Sequence, residues 1–308
     1  MTERSAAARP SRGDGDSAAG QAGGGRLFVG ATPIGNLGDV TLRALEILRE
    51  VPLIAAEDTR LTRRLLERHG VETRTISYHA QSGPARETEL LAHLGGGQDL
   101  ALVTDAGTPG VSDPGEGLVA AWAAAGGTVI PIPGASAVLA AVTGSGVAGP
   151  RWSFEGFLPR SGRERKDRIA RIAADERGTV VYEAPGRVAA TLRDLATACG
   201  VERPGAICRE LTKLHEEIVR APLGELARRA RDGEMTLRGE FAIVVGERRG
   251  DAVPTAASEA AAADALRAAI AEVERLVTTG TPRGEAARRV AASSGLQRRQ
   301  LYAAPRDR

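Results

Sequence analysis

Apolar or alternating runs of four to six residues are separated by amphipathic stretches along the first 150 residues. The runs predict five β-strands, at residues 26–31, 52–56, 73–78, 100–103 and 128–132. Leucine spacing and flanking Gly and Pro predict helices at residues 40–50, 59–69, 84–94, 114–125 and 136–143, the first of them capped by Asp39. Such alternation of strand and helix predicts an α/β fold, with a mostly parallel sheet and helices on both faces.

A cluster of Gly and Pro at residues 144–150 indicates a domain boundary, after which strands and helices alternate again. The predicted strands are 179–183, 205–208 and 240–246, the last one central because it is continuously apolar, and the predicted helices are 163–174, 188–199 and 223–232. An Ala-rich stretch then predicts helices at 258–278, 282–292 and 296–303, the last two resembling a helix–turn–helix. The predicted organisation is a disordered tail (1–25), an α/β domain (26–146), a second α/β domain (147–250) and a helical segment (251–308).

The 41 Lys and Arg residues are spread unevenly, since none occurs from Glu87 to Pro150, where six acidic residues give a net charge of −6. Within that stretch, a predicted strand leads into the loop 105–115 (DAGTPGVSDPG), called the glycine loop below. Glycine lets the backbone approach a ligand closely, and acidic surroundings disfavour phosphate, so this loop suits a positively charged ligand. Residues 151–308 carry 29 basic and 23 acidic residues, a net of +6, which suits an anionic partner.

Composition and motifs exclude several classes of protein. Cys199 and Cys208 are the only cysteines and form no CxxC pair, so we expect no disulfide framework, no metal site and a cytoplasmic location. Residues 1–25 lack the apolar core of a signal peptide, and no apolar run reaches the ~18–20 residues of a membrane span, so no membrane partner is expected. The first strand–helix turn, residues 30–39 (GATPIGNLGD), is not GxGxxG, which argues against a dinucleotide-binding function. The patterns GxxxxGK(S/T), HExxH and GxSxG do not occur, which argues against NTPase, zinc-hydrolase and α/β-hydrolase functions.

Four polar or Gly-rich loops each follow a predicted strand, at residues 32–36 (TPIGN), 57–60 (EDTR), 105–115 and 133–136 (PGAS). The carboxyl ends of the strands line the ligand crevice of an open α/β sheet. The four loops together therefore predict one shared binding site. For any one loop taken alone, an ordinary turn is the alternative.

The motifs TPIGNLGD, AAEDTR, VTDAGTPGVSDPG and PIPGASA occur in this order and resemble those of the tetrapyrrole methylase superfamily of S-adenosylmethionine (SAM) methyltransferases. In the second half, FEGFLPRSGRERKDRI, VYEAPGR, RELTKLHEE and RGEFAIVV resemble the branch of that superfamily called ribosomal RNA small subunit methyltransferase I. The resemblance runs from about Leu27 to Tyr302. It departs at residues 79–82 (HAQS), where that branch often has a second His followed by Asn-Glu.

The resemblance implies a two-domain class III SAM methyltransferase with a small C-terminal helical segment. SAM, the methyl donor, would lie between the domains, and no metal would take part. The residues implied at SAM are Pro33, Asp105, Gly107, Thr108, Val111, Ser112, Ser136, Ala137, Tyr182 and Leu211. Asp105 or Asp113 would offset the sulfonium or the ammonium of SAM, the alternative being that these aspartates cap turns.

The implied reaction is 2′-O-methylation of a cytidine ribose, cytidine 1402 in bacterial numbering, in the decoding region of 16S rRNA. For this reaction the protein has mainly to orient the hydroxyl and accept its proton. The candidate catalytic residues are Glu57, Asp58, Arg60, Glu183 and Lys213, with Glu210 as a further candidate base. Ion pairs remain the alternative role for Arg60, Glu183 and Glu210, and a solvated surface position the alternative for Lys213.

Residues 151–171, with seven basic and three acidic residues, are the clearest candidate for RNA contact. The predicted phosphate contacts are Arg160, Arg163, Arg165, Lys166 and Arg168. Phe154 or Phe157 is predicted to stack on a base, and residues 156–159 to form a mobile edge. The alternative is a solvated amphipathic helix with core phenylalanines. A second candidate is residues 283–308, with seven basic and two acidic residues.

The expected partner is 16S rRNA in the small ribosomal subunit, and the resemblance also implies a homodimer. Two other functions stay open. One is a porphyrinoid C-methyltransferase, against which the basic second half argues. The other is a non-catalytic RNA-binding module built on the C-terminal helices.

Overall fold

The computed structural model describes residues 24–248, 256–294 and 301. The chain divides into two compact units, one up to Arg248 and one after it. The disordered tail predicted at residues 1–25 lies outside the described residues, apart from Gly24 and Gly25.

Five parallel strands form the first sheet, in the order β3-β2-β4-β1-β5. They are β1 (Arg26–Gly30), β2 (Leu53–Ala56), β3 (Thr75–Ser77), β4 (Leu100–Val103) and β5 (Thr128–Ile132). The helices that follow these strands are α1 (Leu42–Glu50), α2 (Thr59–Arg68), α3 (Pro84–Gly95), α4 (Glu116–Ala124) and α5 (Ala137–Ser145). Side chains alternate across a strand, so Phe28 packs with α1 and α2 whereas Leu27 packs with α3 and α4. This confirms the predicted parallel sheet with helices on both faces.

The second sheet has the order β6-β7-β10-β8-β9. Its strands are β6 (Trp152–Phe157), β7 (Gly178–Glu183), β8 (Pro204–Arg209), β9 (Glu217–Pro222) and β10 (Phe241–Val245). The apolar β10 is central and antiparallel to both neighbours. One face carries α6 (Gly162–Ala174), α7 (Val188–Cys199) and α8 (Leu223–Arg231).

The other face of the second sheet is covered by α5, through Val138 and Ala141. A helix that the sequence assigns to the first domain thus packs on the second sheet. The two sheets share this helix and belong to one compact unit. The boundary at residue 146 stays a prediction.

The sequence prediction missed two edge strands, β6 and β9, whose residues are mostly half-exposed. Gly156 and Phe157, predicted as part of a mobile edge, lie in β6 next to a β-bulge after Phe154. The predicted cap of α1 is also wrong. Thr41 caps that helix by accepting a hydrogen bond from the Ala44 N–H, because Asp39 belongs to a preceding 3-10 turn.

The second unit contains α9 (Ala256–Thr278) and α10 (Arg283–Ser294). Val273 of α9 and Ala286 of α10 are buried in their shared core together with Leu301. The third helix predicted at residues 296–303 lies outside the described residues apart from Leu301.

Candidate active site

A cavity of about 350 Å³ lies between the loops that follow β1 and β4 and the second sheet. Its walls come from the glycine loop, the start of α5, and strands β7, β8 and β10 with their adjoining loops. A cavity of this size and with mostly apolar walls is typical of a site for a small organic ligand.

Backbone hydrogen bonds hold the glycine loop against the loop after β1. The Gly107 N–H donates to the Thr32 carbonyl (3.0 Å), and the Thr32 N–H donates to the Gly107 carbonyl (2.8 Å). Gly107 has a φ of +94°, which residues with a side chain rarely adopt. Ser112 has a φ of +65° although it is not glycine. Strained backbone of this kind is concentrated at functional sites, so the loop has the geometry of a binding element.

Acidic groups gather at the carboxyl ends of β2 and β4. The Asp58 N–H donates to Asp105 Oδ1 (2.8 Å), and the Asp105 N–H donates to Glu57 Oε2 (3.2 Å). Burial raises the pKa of Glu57, the negative charge of Asp105 adds to this, and the hydrogen bond from Asp105 only partly opposes it. Arg60 pairs with Asp58 (2.6 Å) and lowers the pKa of that carboxyl to about 2. The charge of Asp58 is therefore balanced, whereas Glu57 remains in an acidic environment.

Asp113 lines the cavity, and no hydrogen bond or ion pair reaches its carboxylate within the part of the chain that the structure describes. Burial raises the pKa of Asp113 to about 7, and the negative charges of Glu57 and Asp105 add to the effect. A cation beside Asp113 would offset both the desolvation and the repulsion. The first wall of the cavity, formed by the glycine loop from Ala106 to Asp113, lies beside Glu57 and Asp105 and is thus suited to positive charge.

The second wall of the cavity is formed by strands β7, β8 and β10 with their adjoining loops. Three aromatic rings form a cluster at this wall. The ring of Tyr182 meets Phe154 and Phe157 edge to face, with centroid distances of 4.9 and 5.6 Å. Burial raises the pKa of Tyr182 to about 12, helped by the charge of Asp113, so the phenol stays protonated. Phe157 is 54% exposed and lines the cavity, which places an apolar ring at its rim.

Lys213 links two acids on the second wall. Its Nζ lies 2.9 Å from both Glu210 Oε1 and Glu240 Oε2. Burial by itself would lower the pKa of Lys213, but the hydrogen bonds to these carboxylates outweigh it and the pKa is raised. Lys213 is therefore a cation here, and the same hydrogen bond lowers the pKa of Glu210. Neither group has the protonation behaviour of a general base at neutral pH.

The loop that carries Lys213 also contacts the loop after β1. The Asn36 N–H donates to Thr212 Oγ1 (3.2 Å). A Cβ added at Gly35 would lie 2.3 Å from the Lys213 Cγ, so only glycine leaves room for the lysine stem. Glu210 and Thr212 adopt φ values of +49° and +67°, respectively. This contact joins the two halves of the chain on one side of the cavity.

Eight of the ten residues predicted at the methyl donor line the cavity. They are Gly107, Thr108, Val111, Ser112, Ser136, Ala137, Tyr182 and Leu211. Pro33 and Asp105 lie beside it in sequence but not in its wall. The sequence prediction missed Ile34, Cys208 and residues 239–242, which also line the cavity. The motif RGEFAIVV contains the last of these and would have pointed to them. Direct contact of any of these residues with a ligand stays a prediction.

Glu183 does not have the accessible carboxylate that a catalytic role needs. Its side chain is fully buried, and its carboxylate accepts hydrogen bonds from Thr191 Oγ1 (2.6 Å) and from the Ala184 N–H (2.9 Å). Arg187 pairs with it at 3.1 Å. These contacts match the ion-pair alternative.

The predicted RNA contacts fall into two groups. Arg165 is buried and donates to the Pro159 carbonyl, Thr191 Oγ1 and Asp194 Oδ2, and Arg168 pairs with Glu155 (2.9 Å). These two arginines anchor α6 and are not available to phosphate, which corrects the prediction for both. The remaining residues, Arg160, Arg163 and Lys166, are exposed.

No cluster of three or more His, Cys, Asp or Glu side chains that would hold a metal ion occurs among the residues described. The same residues include no helix long and apolar enough to cross a membrane.

Sequence comparison connects this site with known proteins. The sequence pattern of the tetrapyrrole (corrin/porphyrin) methylases matches residues 27–227. A protein of Synechocystis sp. named ribosomal RNA small subunit methyltransferase I is 47% identical over 278 residues, which cover 90% of this chain and 96% of that protein. Proteins of the same name from Micromonospora olivasterospora and Escherichia coli O157:H7 are 42% and 38% identical, over 94% and 90% of this chain and 90% and 93% of theirs.

Structural comparison identifies the same fold. Uroporphyrin III C-methyltransferase from Thermus thermophilus superposes with a TM-score of 0.53 at 19% identity, over 73% of this chain and 98% of that one. A cobalt precorrin-4 methyltransferase gives a TM-score of 0.55 at 14% identity, over 72% and 94% of the two chains. At these identities the likeness concerns the fold alone. The sequence pattern and the relatives together show that this chain belongs to the ribosomal RNA small subunit methyltransferase I family of tetrapyrrole methylases.

Proposed function

We propose that this protein is a SAM-dependent methyltransferase that modifies small-subunit ribosomal RNA. The proposed product is a 2′-O-methylated cytidine, cytidine 1402 of 16S rRNA. Relatives at 38–47% identity over at least nine-tenths of the chain support the rRNA substrate. The observation that carries the proposal is the cavity, because the family motifs from both halves of the chain converge on it.

The cavity fits SAM as methyl donor. Its volume of about 350 Å³ and mostly apolar lining suit an adenosyl group, and the unpaired Asp113 suits the positive charge of the donor. When bound, SAM supplies an activated methyl group on a sulfonium. The residues proposed to hold it are those of the glycine loop, Ser136 and Ala137 at the start of α5, and Tyr182 and Leu211.

Asp113 is the group proposed to accept the proton of the ribose hydroxyl. Of the acids near the cavity, Asp58 pairs with Arg60, Glu210 pairs with Lys213, and Glu183 is buried. Asp113 lines the cavity without a partner among the described residues, and its pKa is raised to about 7 in the free protein. Beside the positive charge of SAM this pKa would fall and the carboxylate would be ionised, and loss of that charge on methyl transfer would restore its affinity for the proton. The negative charge of Glu57 raises the pKa of Asp113. The ion pairs of Lys213 with Glu210 and Glu240 hold the second wall in place.

The RNA is proposed to approach along β6 and the start of α6. Arg160, Arg163 and Lys166 are exposed there and would contact phosphate. Phe157, exposed at the rim of the cavity, would stack on a base splayed out of the RNA. The proposal also assigns RNA contact to residues 283–308, whose four arginines after residue 294 lie outside the described residues.

The test is incubation with methyl-labelled SAM and 30S subunits lacking the modification, followed by mapping of ribose methylation along 16S rRNA. Label at one cytidine of the decoding region is the expected result. Label elsewhere would overturn the target, and no label in RNA would overturn the function. A parallel reaction with uroporphyrinogen III tests the porphyrinoid alternative. A non-catalytic RNA-binding module would bind RNA but not SAM.

Two further parts of the proposal are a homodimer and a cytoplasmic location. The resemblance to the family supports the homodimer. Light scattering on the purified protein would distinguish a dimer from a monomer. Fractionation of cells that express the full chain would test the location.

A further inference from the structure

The structure assigns a second phosphate-contacting surface to the exposed arginines of α2, at Arg60, Arg63, Arg64 and Arg68. This α2 arginine face would hold the backbone of the RNA substrate on the first half of the molecule, in addition to the basic residues of α6. The inference rests on the proposed function, since it concerns how the same RNA is held.

The sequence of α2, TRLTRRLLER, places its two kinds of residue on different faces. Thr62, Leu65 and Leu66 are buried, and Leu66 belongs to the core of the first sheet. The four arginines are exposed and outnumber the single acid of the helix, Glu67. Residues three and four apart are neighbours on a helix surface, so the four arginines share one face, which also contains Glu67 and has a net positive charge.

The charges of this face are mostly unbalanced. Arg60 pairs with Asp58, but Arg63, Arg64 and Arg68 form no ion pair within the described ranges. Arg64 lies four residues from both Arg60 and Arg68, and like charges at this spacing destabilise a helix. Glu67 lies four residues after Arg63 and three after Arg64, but it forms no ion pair with either arginine among the described residues.

In helix α8, by contrast, acids pair with the arginines. Its sequence, LGELARRAR, is also rich in arginine, but each arginine has an acidic partner. Arg228 and Arg229 both pair with Glu225, and Arg231 pairs with Asp232. The difference between the two helices indicates that the positive charge of α2 serves an external anion rather than the helix.

The position of α2 agrees with an RNA ligand. The helix begins directly after Glu57 and Asp58, and the Asp58 N–H donates to Asp105 of the glycine loop. The arginine face therefore starts at the edge of the cavity, and at ~1.5 Å per residue it extends for ~12 Å away from it. The acidic first wall repels phosphate, so a nucleotide that enters the cavity would leave its neighbouring phosphates to contacts outside. Phosphate contacts of this kind fix register without reading sequence.

The test measures the salt dependence of binding to 30S subunits or to a decoding-region fragment of 16S rRNA. Three full-length proteins are compared with wild type: Arg63→Ala/Arg64→Ala, the charge-preserving Arg63→Lys/Arg64→Lys, and the control Arg229→Ala/Arg231→Ala. The control removes the same charge from exposed arginines that already have acidic partners. Circular dichroism and SAM binding show whether each variant keeps its fold and its cavity.

The α2 double alanine variant should bind RNA about tenfold or more weakly at ~0.1 M salt. The slope of log K against log salt should fall in magnitude by about two, one for each lost phosphate contact. The lysine variant should restore most of that slope, SAM binding should not change, and the α8 control should keep the wild-type slope.

Equal slopes for the α2 and α8 alanine variants would overturn the inference while leaving the proposed function intact. Failure of the lysine variant to recover the slope would also overturn it, since the arginines would then act through packing. Binding of the same proteins to phosphatidylserine vesicles is measured in parallel. If the α2 double alanine variant kept wild-type RNA binding but lost binding to these vesicles, the face would be assigned to a membrane surface instead. If wild type bound no rRNA at any salt concentration, both the proposed function and this inference would fail.

Discussion

The two walls of the cavity differ in how they balance their acidic groups. On the second wall, Glu210 and Glu240 share the ammonium of Lys213, at 2.9 Å each. On the first wall, Asp113 has no partner among the described residues, and the charged groups that raise its pKa are themselves acidic. Each of these two acids on the second wall has a cationic partner, whereas Asp113 on the first wall has none among the described residues.

This difference between the walls affects the stability of the free protein. A carboxylate that is desolvated and repelled by its neighbours destabilises the free protein. Such groups occur chiefly where a ligand or a reaction uses them. The charge that a site lacks is therefore informative about its ligand, and here it indicates a cation at the first wall.

The largest effect is expected from Asp113→Asn, which removes the unpaired carboxylate from the first wall. If Asp113 accepts the hydroxyl proton, the rate of methyl transfer to 16S rRNA should fall by about 10²–10⁴-fold. Single-turnover assays with saturating SAM measure this. Glu116→Gln is the matched control, an exposed acid three residues away that should keep wild-type rates. A rate for Asp113→Asn within about threefold of wild type would exclude this role.

The next effect concerns stability at the second wall. Glu183→Gln leaves Arg187 facing a neutral partner at a buried site, so the free energy of unfolding should fall by about 3 kcal/mol. Urea denaturation measures this change. The control, Glu176→Gln, breaks an ion pair with Arg151 whose two side chains are about 70% exposed, and it should change stability by less than ~1 kcal/mol. Equal effects of the two substitutions would contradict the structural role of Glu183.

A smaller effect is expected from Lys213→Met, which leaves Glu210 and Glu240 unpaired. Loss of these charge-assisted hydrogen bonds should loosen the second wall and raise KM for SAM about tenfold, with a smaller change in kcat. Steady-state kinetics separate the two parameters. Lys213→Arg keeps the charge and should recover part of the loss. A fall in kcat at constant KM would instead indicate that Lys213 acts in the chemical step.

The smallest effect is the pH dependence of stability at the first wall. The pKa of Asp113 is raised from 3.8 to about 7 in the folded protein. Its contribution is therefore fully present below pH ~4 and is lost as pH rises to about 7. Asp113→Asn should lack this loss and exceed wild type at pH 8 by about 1 kcal/mol, a value reduced for partial exposure. Melting temperatures of both proteins from pH 4 to pH 8 check it, and parallel curves would contradict it.

Sequence reasoning was most successful where burial dominates. The bounds of β4 are as predicted, because its fully buried and continuously apolar run after a Gly-rich turn has few alternatives. The bounds of β5 are also as predicted, although it is an edge strand with one buried residue. The prediction from sequence failed at β6 and β9. Their half-exposed edge positions allow polar residues, so the alternation of apolar and polar residues is less distinct. The prediction also failed for Arg165 and Arg168, because charge alone does not show whether a partner lies nearby.

The order of strands and helices, the four loops at strand ends and the lack of Lys and Arg around the glycine loop can all be read from the chain without its fold. These are properties of neighbouring residues, and short-range periodicity and composition express them. Which carboxylates have partners depends on the folded structure. Glu183 accepts a hydrogen bond from Thr191 and pairs with Arg187, whereas the charged groups that act on Asp113 are Glu57 and Asp105. Pairing of that kind depends on contacts between separate elements, and the same residue types acquire opposite roles through them.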